Sequence, residues 1–281
     1  MSKYSFSGHE SFHCKSLWLK KGYDYLMEGR SFTDANSVAR LGVGKNMVSS
    51  IRFWLRAFGL TNMDEITECA HFLFNDEFGC DPFAEDLNTL WLLHFLIVHK
   101  NIASIYHIIF VDYQRERKEF TRDDLQTYIR RKCLALNQKN VYNENTVKKD
   151  IGVFLKNYVS PKDLKTIEDF SALLINLNLI NLISSDTYRL REVSGEEIAP
   201  EIVLFALLTI GGKENTISLD GLHRLSLIFC LPMLTLIEVI RSLELTYPHA
   251  IVFSDNSGIK NVQFLCKLNK YEVLKKYYNS L

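Results

Sequence analysis

The sequence predicts a mainly α-helical protein with short β-hairpins, built from tandem helix-turn-helix or winged-helix-like units. Three observations lead to this prediction. A helix, a glycine turn and a second helix can be traced over residues 32–60, a similar helix pair follows over 120–158, and helices followed by a hairpin occur twice after residue 120. At roughly 100–200 residues per domain, the 281 residues divide into three predicted domains, at 1–112, 113–193 and 194–281.

The first predicted helix pair occupies residues 32–60. Thr33 or Asp34 can cap its first helix, because a short oxygen side chain accepts a hydrogen bond from a free N–H of the first turn. Gly42 is a typical residue for the end of that helix. The second helix is predicted over residues 45–58, where the apolar positions fall at spacings of 3, 4 and 3 and so share one helical face: Val48, Ile51, Leu55 and Phe58.

The residues outside this apolar stripe are polar or basic, as in a helix that contacts DNA. Hydroxyl, amide and cationic side chains bind phosphates and base edges, and a glycine lets the backbone approach closely. The predicted DNA contacts of this unit are Arg40, Gly44, Lys45, Asn46, Ser49, Ser50, Arg52 and Arg56. A helix pair that only docks another protein would show the same pattern.

A third helix is predicted before this pair, beginning near Ser11. It would carry Leu17–Leu19 toward Leu26 and complete a small core. His9, Glu10, His13 and Cys14 precede it or lie in its first turn, but no second Cys/His pair stands at zinc-finger spacing. We therefore predict packing and hydrogen bonding for these side chains, and no metal.

The charge changes abruptly at residue 60. Residues 30–60 carry five basic residues and one acidic residue, whereas residues 61–90 carry eight acidic residues and no lysine or arginine. An acidic segment does not wrap phosphates. It can be a solvated face, the binding surface for a basic partner, or a source of carboxylates for a metal.

Two apolar segments follow and are predicted to be buried core helices, at Leu87–Val98 and Ile102–Val111. His94 within the first is predicted to be a hydrogen-bonded core histidine. The second domain repeats the opening pattern, with Thr121 and Thr146 as predicted caps of two helices and Lys148 and Lys149 as predicted DNA contacts. A helix ending near 173–179 and a hairpin of 180–183 with 188–191 complete the winged-helix order of elements.

The third domain shows helices and then a hairpin again. Pro200 is placed at the start of a helix, where its missing N–H costs nothing, and the glycines at 211–212 end it. Ser218 and Pro232 begin the next two helices. A hairpin of 251–255 with 259–265, turning at Asn-Ser-Gly, leads to a last helix ending in YEVLKKYYNSL.

Several segments of the first domain together resemble a known family. They are FSGHESF (6–12), WLKKGYD (18–24), RLGVGKNMVSSIRFW (40–54), Asp81-Pro82 and TLWLLHFLI (89–97). In order and spacing they are similar to the family of unknown function DUF4007. The resemblance implies a DNA-directed role, because members are encoded beside genes of DNA sulfur modification (phosphorothioation), including a phosphoadenosine-phosphosulfate reductase-like gene, and of phage defence. It supplies no catalytic residue.

Composition and motifs exclude several other classes of protein. The 33 basic and 33 acidic residues argue against a wholly basic nucleic-acid coat. The amino-terminal segment lacks the apolar core of a signal peptide, and the longest apolar runs, of about nine residues, fall short of the roughly 20 that cross a bilayer. We expect a soluble, cytoplasmic protein with six reduced cysteines.

Catalytic motifs are missing from the sequence. The segment GVGKN at 42–46 departs from a P-loop, and no nucleophile elbow, zinc helix or dinucleotide fingerprint is present. We predict no cofactor, and DNA, in phosphorothioated form or not, as the main partner. The predicted function is a DNA-binding accessory or regulatory protein of a phosphorothioation or phage-defence system. The alternatives are an adaptor for a modification or restriction enzyme, and a metal-dependent nuclease using carboxylates of residues 64–86.

Overall fold

The computed structural model describes residues 3–161, 171–212, 214–256 and 259–281. It is a mixed α/β structure, mostly helical, with small antiparallel sheets. Its contacts divide the chain into two compact units, Met1–Arg191 and Glu192–Leu281.

The first unit opens with three helices and a hairpin. These are α1 (Trp18–Met27), α2 (Ser37–Leu41), α3 (Lys45–Ala57) and the strands β1 (Thr61–Asn62) and β2 (Glu65–Ile66). The second predicted helix of the pair is confirmed in α3, whose apolar stripe is fully buried. The glycine stop signals are confirmed as well, because Gly42 and Gly59 follow their helices with φ of +62° and +70°, values that favour glycine.

The starts of the first two helices differ from the sequence prediction. The helix expected near Ser11 begins at Trp18 instead, because the preceding residues pair with a distant segment: the N–H of Ser16 donates to the carbonyl of Ser171. The cap expected at Thr33 or Asp34 is also wrong. The carboxylate of Asp34 accepts from the N–H of Ser31 in a turn before α2.

Two buried segments form the centre of the first unit. After α4 (Glu68–Phe74), α5 (Leu87–Lys100) is buried nearly all round, and α6 (Ser104–His107) continues through a π-helical turn, Ile108–Asp112. Both predicted core segments are therefore confirmed. His94 lies fully buried, with its Nδ1 2.8 Å from the hydroxyl oxygen of Tyr158.

Two α-helices and a three-stranded sheet are the main elements of the rest of the first unit, outside the undescribed residues 162–170. β3 (Glu119–Phe120) precedes α7 (Arg122–Ala135) and α8 (Glu144–Tyr158), and β4 (Ile180–Leu182) and β5 (Tyr188–Leu190) form the predicted hairpin. The strand order is β3-β5-β4, all antiparallel.

The two helix caps predicted here have different outcomes. Thr121 caps α7 as predicted, in a reciprocal box with Asp124. The cap of α8 is Asn143 rather than Thr146, because the Asn143 side chain accepts the Thr146 N–H. The helix predicted to end near 173–179 lies partly outside the described residues. Only its last part is seen, as a short 3₁₀ turn over Ile175–Leu177.

Residues on both sides of the predicted boundary at 112 contribute to one core. The amide of Asn157 in α8 donates to the hydroxyl of Tyr106 at 2.6 Å, and the N–H of Cys14 donates to the same amide group at 3.1 Å. Independent folding of residues 1–112 and 113–193 stays a prediction.

The second compact unit combines four helices with a three-stranded antiparallel sheet of order β6-β8-β7. Pro200 begins its first helix, Ser218 caps the second with its side chain, and Pro232 immediately precedes the third, all as predicted. The elements are α9 (Pro200–Gly211), β6 (Thr216–Ser218), α10 (Leu219–Ile228), α11 (Met233–Thr246), β7 (Ile251–Asn256), β8 (Ile259–Phe264) and α12 (Lys270–Tyr278).

Within the described ranges, no single helix has the length and apolarity to cross a bilayer. Two helix pairs reach that length and composition only jointly, Leu87–Lys100 with Ser104–Arg115 and Leu219–Ile228 with Met233–Thr246. They are bent by 100° and 106°.

Candidate nucleic-acid interface

The exposed face of α3 carries most of the predicted DNA contacts. Lys45, Ser49, Arg52 and Arg56 follow one another at spacings of 4, 3 and 4, which places them along one line of the helix. All four are exposed, as are Arg40, Gly44 and Asn46. The opposite face is packed into the core, so α3 presents a polar, three-cation stripe on a rigid support.

Ser50 does not belong to this face, and its predicted contact with DNA is corrected. Its side chain is fully buried, and its hydroxyl donates to the carbonyl of His9 at 3.0 Å. Ser50 follows Ser49 by one residue, and this rotation of about 100° along the helix turns it inward.

Arg40 lies at the end of α2, shortly before α3 in the sequence, but its neighbours differ from those of the α3 stripe. It lines a cavity of about 380 Å³ together with Lys21, Asp24 and Glu28. The surroundings mix both signs of charge, so Arg40 lies in a less positive environment than the α3 stripe.

Arg52 is held in place by the hairpin that follows α3. Its guanidinium forms two hydrogen bonds with the Asp64 carboxylate, at 2.9 and 2.6 Å. These hydrogen bonds raise the pKa of Arg52 above its ordinary value. An arginine has five N–H donors, so Arg52 retains donors for a further partner while Asp64 fixes its direction.

We expect Arg52→Ala to lower the free energy of unfolding by only about 0–1 kcal/mol, because both partners of this ion pair are partly exposed to water. Any effect should shrink at high salt through screening. Urea denaturation at low salt and at about 1 M NaCl checks this, with Arg56→Ala as the matched control. A large, salt-independent loss would contradict it.

Lys148 and Lys149 are both exposed in the first half of α8, as a DNA contact requires. The next residue, Asp150, points inward and is 3% exposed. The basic side chains of α8 therefore lie directly beside a buried carboxylate.

The loop Ser7–Ser11 binds this carboxylate and connects α8 to α3. The N–H of Ser7 lies 3.1 and 3.0 Å from the two Asp150 oxygens, and the ring Nε2 of His9 lies 3.0 Å from Oδ1. On the other side of the loop, Ser50 of α3 donates to the carbonyl of His9. One five-residue loop thus ties together the two helices that carry the predicted DNA contacts.

The hydrogen bonds of His9 define its tautomer. Its Nδ1 accepts the N–H of Ser11 at 3.1 Å, so this nitrogen carries no proton. The proton is on Nε2 and is donated to Asp150. Both ring nitrogens are therefore engaged within the protein, and the ring also stacks on Trp54.

Gly8 lets this loop lie directly on α3. Its φ is +103°, and a Cβ added there would come within 2.5 and 2.7 Å of two ring carbons of Phe53. No residue with a side chain fits between the loop and the Phe53 ring. The hydrogen bonding predicted for His9 is confirmed, but the role of the loop as a connector between α8 and α3 was not predicted.

Two buried groups near the loop, the Cys14 thiol and the Tyr106 hydroxyl, are neutral. Burial raises the pKa of the Cys14 thiol and of the Tyr106 hydroxyl well above their ordinary values, so both stay protonated at neutral pH. A protonated, buried thiol is chemically inert. All six cysteines are free thiols, in agreement with the sequence prediction.

The carboxylates of the acidic segment are dispersed rather than gathered. Asp64 binds Arg52, Asp76 binds Lys20, and Asp81 accepts two backbone N–H groups of the next turn. In the part of the chain that the structure describes, no three His, Cys, Asp or Glu side chains lie close enough to hold a metal ion.

The fold and this surface define a mixed α/β protein in which α3 presents an exposed, basic face after a glycine turn. The family model described as "Protein of unknown function (DUF4007)" matches residues 6–278, so the chain belongs to the DUF4007 family. No curated protein sequence matches it.

Two solved structures share the fold. A crystal structure of SspB aligns with a TM-score of 0.84 at 24% sequence identity, covering 98% of this chain and 88% of that one. A magnesium-ion-bound crystal structure of SspB aligns with a TM-score of 0.83 at 25% identity and the same coverage. The chain is therefore similar to SspB over nearly its whole length.

Proposed function

We propose that this chain is a DNA-binding accessory or regulatory protein of a DNA phosphorothioation or phage-defence system. The observation that carries the proposal is the exposed stripe of Lys45, Ser49, Arg52 and Arg56 on a helix whose other face is buried. Family membership and the likeness to SspB support the phosphorothioation context.

We further infer that the helical units are winged helices. In a winged helix, a short strand before the last two helices pairs with the second strand of a terminal hairpin. The orders β3-β5-β4 and β6-β8-β7 have this arrangement, and the β1–β2 hairpin follows α3 where a wing would stand. Such units place their last helix in the major groove, which assigns that role to α3 and α8.

The charge-reversal variant Lys45→Glu/Arg56→Glu tests DNA binding. It should abolish retardation of a duplex at moderate salt, because two phosphate contacts become repulsive. Each lost contact reduces the slope of log affinity against log salt by about 0.9. The fold should be kept, since both residues are exposed. A glutamate is favourable at position 45 in the first turn of α3, and at position 56 in its last turn it costs only about 0.3–1 kcal/mol.

The matched control is Lys267→Glu/Lys275→Glu, which makes the same change in net charge at exposed positions of the second unit. It should retain most of the DNA affinity. Equal affinities of the two double variants, both with wild-type melting temperatures, would refute the proposed interface. Duplexes of one sequence with and without phosphorothioate linkages then show whether backbone sulfur is sensed.

A second candidate function is an adaptor for a modification or restriction enzyme. It is favoured by two exposed aromatic side chains in the acidic segment, Phe78 and Phe83, at 66% and 52% exposure. Exposed Glu77 and Glu85 lie near them in sequence, a combination that suits a partner with basic and apolar groups. Phe78→Ser/Phe83→Ser should abolish co-purification with the enzyme encoded beside this chain.

The third candidate, a metal-dependent nuclease, finds no such support. The magnesium ion was observed in one of the SspB crystal structures. In the present chain, the carboxylates among the described residues 64–86 do not converge on one point. We derive no reaction step through a metal.

A further inference from the structure

A cavity of about 280 Å³ lies between α8, the start of α7 and the β4–β5 hairpin. It is just below the roughly 300–1,000 Å³ of small-molecule sites, so it suits a small ligand. None of the described residues that line it is acidic: His13, Arg122, Gly152, Leu155, Lys156, Val159, Ser160, Pro161, Leu182 and Tyr188.

The charges of the cavity favour an anion. Arg122 and Lys156 place a guanidinium and an ammonium group at its edge, and the structure gives neither an ion pair among the described residues. The guanidinium of Arg122 lies 3.5 Å from the hydroxyl oxygen of Tyr188, which holds it at the cavity. Guanidinium and ammonium groups together are a typical pair for a phosphate.

The remaining walls are apolar. Leu155, Val159, Pro161 and Leu182 supply a hydrophobic surface beside the two cations. A ligand that matches both the two cations and the apolar walls carries a phosphate on a flat organic body, as a nucleotide does. Inorganic phosphate alone would leave the apolar wall uncovered.

Gly152 is the independent observation that this space is kept open. It lies in the middle of α8, where glycine is less favourable than almost any other residue. Its conformation is an ordinary helical one, and a Cβ added there would meet no atom within 4 Å. Packing therefore does not require glycine at this position, whereas a larger side chain would fill the cavity.

The cavity also continues the basic line of α8. Lys148, Gly152 and Lys156 are spaced four residues apart and share one face of the helix. The phosphate backbone of a strand that binds along this face at Lys148 would lead to Gly152 and the cavity.

We propose that the cavity around Arg122, Gly152 and Lys156 binds a single phosphate-bearing nucleotide unit. The unit is either a free nucleotide or the 5′-terminal nucleotide of a strand, which present the same phosphate and base. The proposal extends the proposed DNA-binding function but has its own test.

The test is calorimetric titration of the full chain with AMP, inorganic phosphate, and a short single strand with and without a 5′-phosphate. We expect AMP or the 5′-phosphorylated strand to bind, and inorganic phosphate to bind more weakly. Binding of AMP assigns a free nucleotide. Binding of the strand only when phosphorylated assigns a strand end. No binding of any of these probes overturns the proposal.

Two variants locate the binding. Gly152→Leu fills the cavity, and Arg122→Ala/Lys156→Ala removes its cations. Each should weaken binding about tenfold or more, since hydrogen bonds to charged groups contribute strongly. Lys139→Ala, which removes an exposed cation outside the cavity, should leave the affinity within about twofold. Unchanged affinity in both cavity variants overturns the proposal.

Folding is checked by thermal melting. Gly152→Leu should melt no lower than the wild type, because leucine is a better helix former. If Gly152→Leu melts at a lower temperature than the wild type, the affinity of the surface variant Arg122→Ala/Lys156→Ala alone decides whether the proposal holds. The variant Lys45→Glu/Arg56→Glu should keep its nucleotide affinity, so failure of the cavity and failure of the DNA interface on α3 give different results.

Discussion

Replacing Asp150 with alanine is expected to lower the free energy of unfolding by about 1–3 kcal/mol. The carboxylate is 3% exposed and accepts hydrogen bonds from the Ser7 N–H and from His9 Nε2. Without it, the buried ring nitrogen of His9 loses its acceptor, and an unsatisfied buried donor costs about 1–3 kcal/mol. The N–H of Ser7 belongs to an exposed residue and can donate to water instead. Urea denaturation with a linear extrapolation measures the loss.

Two further variants sharpen this prediction. Asp150→Asn keeps the shape but offers an N–H₂ group to one of the two donors, so we expect a loss of about half the size. Asn145→Ala changes an exposed residue of the same helix and should stay within about 0.5 kcal/mol. An Asp150→Ala variant as stable as this control would show that the loop Ser7–Ser11 does not anchor α8.

Gly8→Ala should cost about 2–5 kcal/mol, with two physical causes. The new Cβ would come 2.5 Å from a ring carbon of Phe53, and overpacking of this kind costs about 1–3 kcal/mol. An L residue at a φ of +103° adds about 1–2 kcal/mol of backbone strain. Thermal and urea unfolding should both show the loss.

Two other glycines serve as matched controls for the same substitution. Gly29 has a φ of +70° and open space around it, so Gly29→Ala should show the backbone cost alone. Gly152 has a helical φ and open space, so Gly152→Ala should stabilise the chain by about 0.5–1 kcal/mol. Among the three alanine variants, Gly8→Ala should therefore have the lowest free energy of unfolding and Gly152→Ala the highest. Any other order would contradict the assignment of the loop contact.

The elements that local sequence determines were predictable. The buried stripe of α3 repeats with the helical period, and a glycine stands where the chain turns after α2. Pro200 and Ser218 mark helix starts for reasons that lie within a few residues of each. The exposed cations of α3 and α8 followed from the same periodicity, because a residue opposite a buried stripe faces water.

The errors arose where distant residues decide the local structure. The segment before α1 is not helical because it pairs with residues near 172, and no local pattern shows that pairing. Ser50 looked like its neighbour Ser49, but a loop 41 residues earlier in the chain covers it. Asn143, three residues before the predicted Thr146, is the cap of α8. Both residues have side chains that can cap a helix, and only the backbone conformation distinguishes them.

The loop Ser7–Ser11 was the largest omission. Its histidine and glutamate are metal-ligand residue types for which packing and hydrogen bonding were predicted instead, and nothing near them in sequence indicated the partner. The partner, Asp150, belongs to a helix whose basic surface had drawn the attention instead. A carboxylate directly after two exposed lysines was the available signal, since Asp150 is on the apolar side of the α8 pattern.

The separation between His9 and Asp150 also has a consequence for synthesis. The two residues are 141 positions apart, and a ribosome adding about 5–20 residues per second needs roughly 7–30 seconds to travel between them. During that interval the amino-terminal motif cannot take its final position, although it was made first. The attachment of α8 to the loop Ser7–Ser11, and through that loop to α3, is therefore completed only after translation has passed α8. A truncated product that stops earlier would lack it.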